Sequence, residues 1–252
     1  MGMIVLITGA SSGFGASIAR VLAAEGHKII AAGRRADRLN ALAEEIGGGA
    51  VLPLMLDVTD RAAVAAALEG LPAAWAEIDV LVNNAGLARG LAPAQEAKLD
   101  DWETMIDTNI KGVTYMTHAV LRGMVARDRG HIVNMGSVAG TWPYLGGNIY
   151  GATKAFVRNF SLNLRADLLG TKVRVTNVEP GLVSGTEFSA VRFGGDEKRA
   201  ASVYANTTPL TAEDVAETVR WVVTLPAHFN VNTIEIMPVV QAFGGLKVLK
   251  AE

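Results

Sequence analysis

Short apolar segments alternate with longer helical patterns along most of this sequence, and this alternation constrains the fold more than any other feature. Apolar segments without polar alternation are typical of strands buried on both faces of a sheet. Helical patterns of about ten or more residues between such strands indicate right-handed βαβ crossovers. The predicted strands are 4–7, 28–32, 51–56, 78–82, 131–135, 173–178 and 233–237, and the predicted helices are 13–24, 36–46, 60–68, 101–127, 149–169 and 211–225. We therefore expect an α/β fold, namely a single-domain, doubly wound Rossmann fold with a parallel sheet of about seven strands and helices on both faces.

One domain spanning residues 1–252 is the simplest organisation of the chain. A length of 252 residues fits one large α/β domain better than two small ones, and no repeat or linker divides the sequence. The helical and strand patterns weaken across residues 181–209, which are rich in glycine, serine and threonine. This segment is predicted to be a loop or lid on the substrate side of the domain.

Composition excludes several classes of partner. The formal net charge is −2 at pH 7 with 19% charged residues, so the chain offers no strong positive field to nucleic acid or anionic membranes. There are no cysteines, which excludes disulfides, thiol catalysis and cysteine-bound metals, and no metal site is expected. The apolar run at residues 3–7 is too short for a signal peptide or a membrane span. We expect a cytoplasmic protein that acts on a small molecule, with neither nucleic acid nor membrane as a partner.

A glycine-rich turn, residues 8–15, separates the first predicted strand from the first predicted helix. Gly9 would let the chain leave the strand in a tight turn, and Gly13 would let the backbone approach a pyrophosphate, while Gly15 would let the helix pack on the sheet. The N-terminus of the helix adds free N–H groups and the positive end of its dipole. A glycine-rich turn without a ligand is the alternative, but its place in the first βαβ unit favours dinucleotide binding.

The end of the second predicted strand indicates which nicotinamide cofactor is bound. NAD enzymes commonly place a carboxylate there to bind the ribose 2′-hydroxyl, whereas this chain has Arg34 and Arg35. Guanidinium groups form charge-assisted hydrogen bonds to a 2′-phosphate, which a carboxylate would repel. The sequence therefore predicts NADP, with Arg34 as the main contact and Arg35 as the second. Both arginines could instead be solvated loop residues, and Asp37 could reach a ribose hydroxyl.

Tyr150 and Lys154 lie four residues apart in the predicted helix 149–169 and would project from the same face. A nearby ammonium favours the phenolate and lowers the pKa of a tyrosine, which suits a general acid or base. The pair alone is weak evidence because chance produces it fairly often. Neither Tyr115 nor Tyr144 has a lysine four residues further on, so Tyr150 is the candidate.

Two polar residues accompany this pair. Ser137 follows the fifth predicted strand, at the carboxyl edge where open α/β sheets bind ligands. It could donate a hydrogen bond to a substrate oxygen that gains negative charge, or it is an ordinary turn residue. Asn109 falls within the predicted helix 101–127, although asparagine is a mediocre helix former. It is either a surface polar residue or the site of a kink whose backbone carbonyl holds a water linked to Lys154.

The pattern Thr-Gly-x-x-x-Gly-x-Gly at residues 8–15, with Asn-Asn-Ala-Gly at 83–86 and Tyr-x-x-x-Lys at 150–154, resembles the short-chain dehydrogenase/reductase family. The resemblance extends over about residues 3–240 and implies a catalytic tetrad of Asn109, Ser137, Tyr150 and Lys154. Members of this family are usually homotetramers, and the predicted helices 101–127 and 149–169 could supply the interfaces. With the residues named above, the expected cofactor contacts are Gly9, Ser11, Ser12, Gly13, Phe14, Gly15, Arg34, Arg35, Asp57, Val58, Asn83, Ala85, Gly86, Tyr150, Lys154, Pro180, Gly181, Val183 and Thr186.

Further segments resemble a bacterial branch of this family, the NADP-dependent 3-hydroxy acid dehydrogenases. They are residues 101–107, 142–144, 151–158, 179–183, 225–228 and 232–235. The resemblance implies oxidation of the 3-hydroxyl of L-serine, L-allo-threonine and related acids, and reduction of malonic semialdehyde to 3-hydroxypropionate. Ser137 and Tyr150 would contact the reacting oxygen. A carboxylate substrate needs a cation or a set of N–H donors, and Arg192 is the candidate, with a solvated loop arginine as the alternative.

Two other functions stay open at this point. The same fold could reduce a bulkier ketone, sugar or acyl thioester, which a panel of substrates would show. A non-catalytic NADP-sensing module would bind the cofactor to regulate a partner without turnover. The complete tetrad argues against a sensor, because a sensor has no need of Ser137 and Tyr150.

Overall fold

The structure is a computed structural model that describes residues 2–244 of the chain. Among them, seven strands form one sheet in which all neighbouring pairs are parallel. The strands are β1 (Ile4–Thr8), β2 (Lys28–Gly33), β3 (Val51–Met55), β4 (Val80–Asn83), β5 (Gly130–Met135), β6 (Val173–Pro180) and β7 (Thr233–Ile236). Their order is β3-β2-β1-β4-β5-β6-β7, so the direction of winding reverses between β1 and β4, where open α/β sheets bind ligands. The predicted Rossmann fold is confirmed.

Helices follow the strands and cover both faces of the sheet. They are α1 (Gly13–Ala24), α2 (Ala36–Ile46), α3 (Arg61–Glu69), α4 (Leu99–Ile106), α5 (Val113–Ala126), α6 (Asn148–Asp167), α7 (Phe188–Arg192), α8 (Glu197–Ser202) and α9 (Ala212–Thr224). Asp60 caps α3 by accepting from two backbone N–H groups, and Thr211 and Asp214 form a reciprocal capping box at the start of α9. None of the helices in the described range is long and apolar enough to span a bilayer.

An apolar layer lies on each face of the sheet and holds the strands in place. One layer includes Ile18 of α1 and Val219 of α9, two helices that pack against each other. The other includes Leu81 of β4, Met116 of α5 and Leu164 of α6. Burial of one such side chain stabilises the fold by about 1.5–3 kcal/mol. These layers fix the carboxyl ends of the strands, where the polar site residues lie.

The long helix predicted at 101–127 is interrupted in its middle. A π-helical turn at Asp107–Gly112 joins α4 to α5, and it contains Asn109. Asn109 is buried, so the surface alternative for this residue is wrong. Gly112 lies against the loop that precedes α3. A Cβ on Gly112 would come within 2.7 Å of the Val58 side chain. Single π-helical turns of this kind occur frequently at functional sites.

The segment 181–209 is only partly a loop, because it contains α7 and α8. Helices of five and six residues give little periodic signal in a sequence, which is why the pattern did not indicate them. Val183 pairs with Leu210 in an isolated bridge at the two ends of the segment. The segment therefore leaves the sheet after β6, forms two short helices and returns to the start of α9.

Candidate active site

The turn between β1 and α1 has the backbone geometry that a bound anion requires. Gly9 and Gly13 have φ values of +67° and +52°, which glycine adopts without steric cost. A Cβ on Gly15 would lie 2.4 Å from the carbonyl oxygen of Gly9, so Gly15 packs behind the turn and no larger residue fits there. Ser12, the N-cap of α1, makes no side-chain cap hydrogen bond. The first N–H groups of α1 are therefore left without that acceptor and suit a phosphate.

A groove of about 340 Å³ runs from this turn along the carboxyl edge of the sheet to Lys154. Most of the predicted cofactor contacts line it: Gly9, Ser11, Ser12, Gly13, Phe14, Arg34, Arg35, Asp57, Val58, Ala85, Gly86, Tyr150, Lys154 and Thr186. Pro180, Gly181 and Val183 line an adjoining cavity instead. The structure thus brings the loops that follow β1, β2, β3 and β4 together with α6 and the segment 181–209.

The two asparagines after β4 have different surroundings. Asn83 is buried in the sheet, where its side-chain amide donates to Thr117 Oγ1 and Asn134 Oδ1 at 3.0 and 2.8 Å. Asn84 donates to the backbone carbonyl of Thr8 at 2.9 Å and lines the groove. Asn83 therefore ties neighbouring elements together behind the groove, whereas Asn84, which the sequence analysis did not single out, holds the glycine turn.

Arg34 and Arg35 also differ. The Arg34 side chain is 71% exposed, and its ion-pair contact to Asp57 measures 3.9 Å. Arg35 donates to the hydroxyl oxygens of Ser11 and Ser12 at 3.0 and 2.7 Å. Arg34 keeps its donors accessible to a phosphate, and Arg35 braces the glycine turn. A glycine cradle, a helix N-terminus and two guanidinium groups fit a dinucleotide that carries an extra phosphate.

Tyr150 and Lys154 are both buried on α6. The Lys154 ammonium lies 5.9 Å from the centroid of the Tyr150 ring and donates to the backbone carbonyl of Met135 at 2.7 Å. Ser137 follows β5, and its hydroxyl accepts from the backbone N–H of Ala139 at 3.1 Å. Ser137 and Tyr150 line the same cavity. Three of the four predicted tetrad residues thus converge where β5 ends beside α6.

Asn109 completes this cluster through its side chain. The amide of Asn109 bonds to the backbone N–H and carbonyl of Leu87, at 2.9 Å in each case, and donates to Thr153 Oγ1 at 3.0 Å. A Cβ on Gly86 would lie 3.2 Å from Asn109 Oδ1 and 3.5 Å from Lys154 Nζ. Asn109 from the π-helical turn and Lys154 from α6 therefore approach the same point.

Burial shifts the pKa values of both α6 residues. It raises the pKa of Tyr150 to about 12, against the opposing effects of a hydrogen bond with Ser137 and the charge of Arg192. Burial also lowers the pKa of Lys154 to about 8. The shift of Tyr150 is opposite to the direction expected from the lysine alone, because loss of solvation disfavours the phenolate more than the neighbouring groups favour it. At neutral pH Tyr150 is a phenol that can donate its proton.

A second cavity, of about 450 Å³, opens beside Ser137 and Tyr150. Trp142, Pro143 and Tyr144 form part of its wall. Arg192 is the one charged residue among the described residues that line this cavity. Its guanidinium carbon lies 5.3 Å from the Tyr150 ring centroid, and the side chain donates to the Tyr144 hydroxyl and, at 3.3 Å, to the Gly90 carbonyl. Arg192 is therefore held in place rather than solvated in a loop.

Sequence reasoning missed Glu187, which lines the groove. Its carboxylate accepts from Arg35 at 2.8 Å and from Arg38 at 2.6 Å. The hydrogen bond from Arg38, followed by those from Arg35 and Ser12, lowers the pKa of Glu187 to about 2 despite the opposing effect of burial. Arg35 and Arg38 are 152 and 149 positions away from Glu187 in the chain, so no local pattern could have indicated these contacts.

Within residues 2–244, no group of three or more histidine, aspartate or glutamate side chains is placed to hold a metal ion.

The chain is similar to several known dehydrogenases. The chain is 65% identical to the NADP-dependent 3-hydroxy acid dehydrogenase YdfG of Salmonella typhi over 98% of this chain and 99% of the relative. It is 50% identical to a serine 3-dehydrogenase of Rhizobium radiobacter, over 98% of both chains. A solved structure described as the closed form of serine dehydrogenase complexed with NADP+ matches with a TM-score of 0.97 and 61% identity, covering 99% of this chain and 100% of that one.

A sequence profile described as short chain dehydrogenase matches residues 3–195, which is more than half of the chain. The resemblance seen in the glycine turn and in the Tyr-x-x-x-Lys pattern is therefore confirmed. The chain belongs to the short chain dehydrogenase family.

Proposed function

We propose that this chain is an NADP-dependent dehydrogenase that oxidises the 3-hydroxyl of small 3-hydroxy acids and reduces the corresponding carbonyl acids. The proposed substrates are L-serine, L-allo-threonine, and 3-hydroxypropionate with its partner malonic semialdehyde. The observation that carries the proposal is the position of Arg192, whose positive charge lies beside Tyr150 in an otherwise uncharged set of described lining residues. A guanidinium is well suited to bind a carboxylate. The activities of the similar proteins support the same substrate class.

NADP is the cofactor that the groove fits. The glycine turn and the N-terminus of α1 would hold the pyrophosphate, and Arg34 with Arg35 would bind the 2′-phosphate. Asp57 and Val58 would contact the adenosine end, and Lys154 the nicotinamide ribose. When bound, the cofactor supplies or accepts the hydride. Gly181, Val183 and Thr186 lie on the side of the groove that opens toward the substrate cavity, which suits contacts to the nicotinamide end.

Each catalytic residue has one proposed task. In reduction, the Tyr150 phenol donates its proton to the substrate oxygen; in oxidation, the phenolate removes the hydroxyl proton. The Ser137 hydroxyl donates a hydrogen bond to the same oxygen as negative charge develops on it. Lys154 and a water held by the Asn109 backbone carbonyl would pass protons between the site and solvent.

A reductase of bulkier carbonyl compounds is the second candidate. The cavity of about 450 Å³ is larger than a three-carbon hydroxy acid would fill, and aromatic side chains form part of its wall. Trp142 packs against Phe243 with ring centroids 4.5 Å apart, and Tyr150 packs against Phe188 at 5.6 Å. A non-catalytic sensor is a weaker candidate, because Ser137 and Tyr150 both line the substrate cavity.

A substrate panel tests the proposal. Turnover is measured with NADP and NADPH on 3-hydroxy acids, their carbonyl forms, and neutral ketones, sugars and acyl thioesters of increasing size. Highest kcat/KM on the small acids supports the proposal, and a preference for large neutral carbonyls favours the second candidate. Tyr150→Phe should lower turnover about 10²- to 10⁴-fold and leave NADPH binding intact, whereas Tyr115→Phe is the matched control.

We also propose that the protein is a homotetramer. α5 and α6 carry the exposed apolar side chains Val125 and Leu162, which would pack against a second copy. Light scattering measures the assembly directly, and a monomeric mass would contradict it.

A further inference from the structure

Glu187 connects the segment 181–209 to the opposite side of the cofactor groove. Its carboxylate accepts one hydrogen bond from Arg35, just before α2, and one from Arg38 within α2, at 2.8 and 2.6 Å. Arg35 in turn donates to Ser11 and Ser12 of the glycine turn. One acidic side chain thus joins three separate parts of the molecule: the glycine turn, α2 and the start of α7.

The helix that follows Glu187 carries two residues that contact Tyr150. The Phe188 ring lies 5.6 Å from the Tyr150 ring, and the Arg192 guanidinium lies 5.3 Å from it. α7 has five residues, far fewer than a helix needs to be stable without tertiary contacts. Its position over the site therefore depends on tertiary contacts, which include those at its two ends and the hydrogen bond between the Ser189 and Tyr204 hydroxyls. At the far end, the backbone N–H of Gly90 donates to the carbonyl of Arg192 at 2.9 Å.

We propose that Glu187 is a positioning residue whose ion pairs with Arg35 and Arg38 hold α7 across the groove and keep Arg192 and Phe188 against Tyr150. Glu187 touches neither the reacting atoms nor Tyr150, and it acts through the helix that begins beside it. The inference rests on the proposed function in one respect, since it takes Arg192 to be the group that binds the substrate carboxylate. Binding of the cofactor phosphate near Arg35 and binding of the substrate near Arg192 are thereby linked through one carboxylate.

The charges and their exposure set the size of the effect. Charge-assisted hydrogen bonds are stronger than neutral ones, but the three side chains are between 39% and 45% exposed, so solvent screens each pair. Loss of one such pair is expected to change an equilibrium by up to about fivefold. The consequence is a shift in substrate affinity rather than an inactive protein.

Glu187→Gln and Arg38→Gln test the proposal with two readouts. The first is hydrogen exchange of the backbone amides of residues 188–193 in the protein without substrate, where we expect several-fold faster exchange in both variants. The second is KM for L-serine, expected to rise about three- to tenfold in Glu187→Gln, with a smaller change in kcat and in NADPH binding. Glu45→Gln is the matched control, because Glu45 forms a similar exposed double contact with Arg20, at 2.7 and 2.8 Å, away from α7.

The double variant Arg38→Gln/Glu187→Gln shows whether the two residues act through one contact. Its KM and exchange rates should match those of Glu187→Gln alone, because the second substitution removes a partner that is already lost. Unchanged exchange at 188–193 in Glu187→Gln, or an equal change in Glu45→Gln, overturns the proposal. If the parent protein oxidises no 3-hydroxy acid, the proposed function fails, and the exchange measurement still decides the role of Glu187.

Discussion

The guanidinium carbon of Arg192 lies 5.3 Å from the centroid of the Tyr150 ring, in a cavity where no other described lining residue carries a charge. The charge of Arg192 opposes the burial that raises the pKa of Tyr150. A 3-hydroxy acid whose carboxylate is bound to Arg192 would have its hydroxyl-bearing carbon near the Tyr150 phenol. One arginine can therefore influence both which substrate binds and how easily the proton moves.

Arg192→Ala should raise KM for L-serine about 10- to 100-fold, the size expected when one charge-assisted hydrogen bond to a carboxylate is lost. A neutral carbonyl substrate should be affected much less, because it has no charge to bind. Steady-state kinetics on both substrates measures the difference. Arg199→Ala is the control. Arg199 lies on the neighbouring helix α8 and, like Arg192, places its guanidinium over an aromatic ring, that of Phe193. An unchanged KM for L-serine would assign the carboxylate to another group.

Oxidation and reduction should depend on pH in opposite directions. Because burial raises the pKa of Tyr150 to about 12, the phenol predominates at neutral pH, so the base needed for oxidation becomes more abundant as pH rises. We expect kcat/KM for oxidation to rise by up to about tenfold per pH unit from about pH 6 to about pH 9. Reduction, which needs the phenol, should be level there and fall at higher pH.

Initial rates in both directions over this range check the prediction. Arg192→Ala should shift the oxidation limb to higher pH, since the arginine favours the phenolate. An oxidation profile that is flat across the whole range would contradict Tyr150 as the base.

The sequence predicted the fold well because its signals are local. Apolar strands, helix caps such as Asp60 and Thr211, and the glycine turn each depend on residues within a few positions of one another. The interruption at Asn109 was also visible as a poor helix former in a helical pattern. The short helices α7 and α8 were missed because five or six residues carry too little periodicity to separate them from a loop.

The site was predicted less completely because its electrostatics depend on long-range contacts. The spacing of Tyr150 and Lys154 indicated that they share a helix face, but not that burial would be the largest influence on both pKa values. Arg34 and Arg35 were found as a pair, yet Glu187, which engages only Arg35 of the two, comes from a segment 152 residues away. Such partners become apparent only when the chain is folded.

Arg34 should contribute to the preference for NADP over NAD and contribute little to the stability of the fold. Its side chain is 71% exposed and makes one long contact, with Asp57 at 3.9 Å, so its removal should cost little stability. Arg34→Ala should weaken NADPH binding about 10- to 100-fold and leave NADH binding nearly unchanged. Titration with both cofactors measures this ratio, with the exposed Arg61→Ala as control. Equal loss for NADH and NADPH would show that Arg34 does not bind the 2′-phosphate.

Gly15→Ala should abolish dinucleotide binding, whereas Gly26→Ala should affect stability alone. A Cβ at residue 15 would lie 2.4 Å from the Gly9 carbonyl oxygen and 2.7 Å from Asn84 Nδ2, so the turn must move. Such overpacking costs about 1–3 kcal/mol of stability. Gly26 has a φ of +83° with open space around its Cβ position, so alanine there strains the backbone by about 1–2 kcal/mol and disturbs no neighbour.

Urea denaturation and NADPH titration of the two variants separate these effects. Both should lose a similar amount of stability, but Gly15→Ala alone should lose binding, because the turn displaced by its new Cβ is the one that supplies Gly9 and Gly13 to the groove. If both variants bind NADPH as the parent does, the glycine turn is not the phosphate site. If both lose binding in proportion to their instability, the effect belongs to the fold as a whole and not to the cradle.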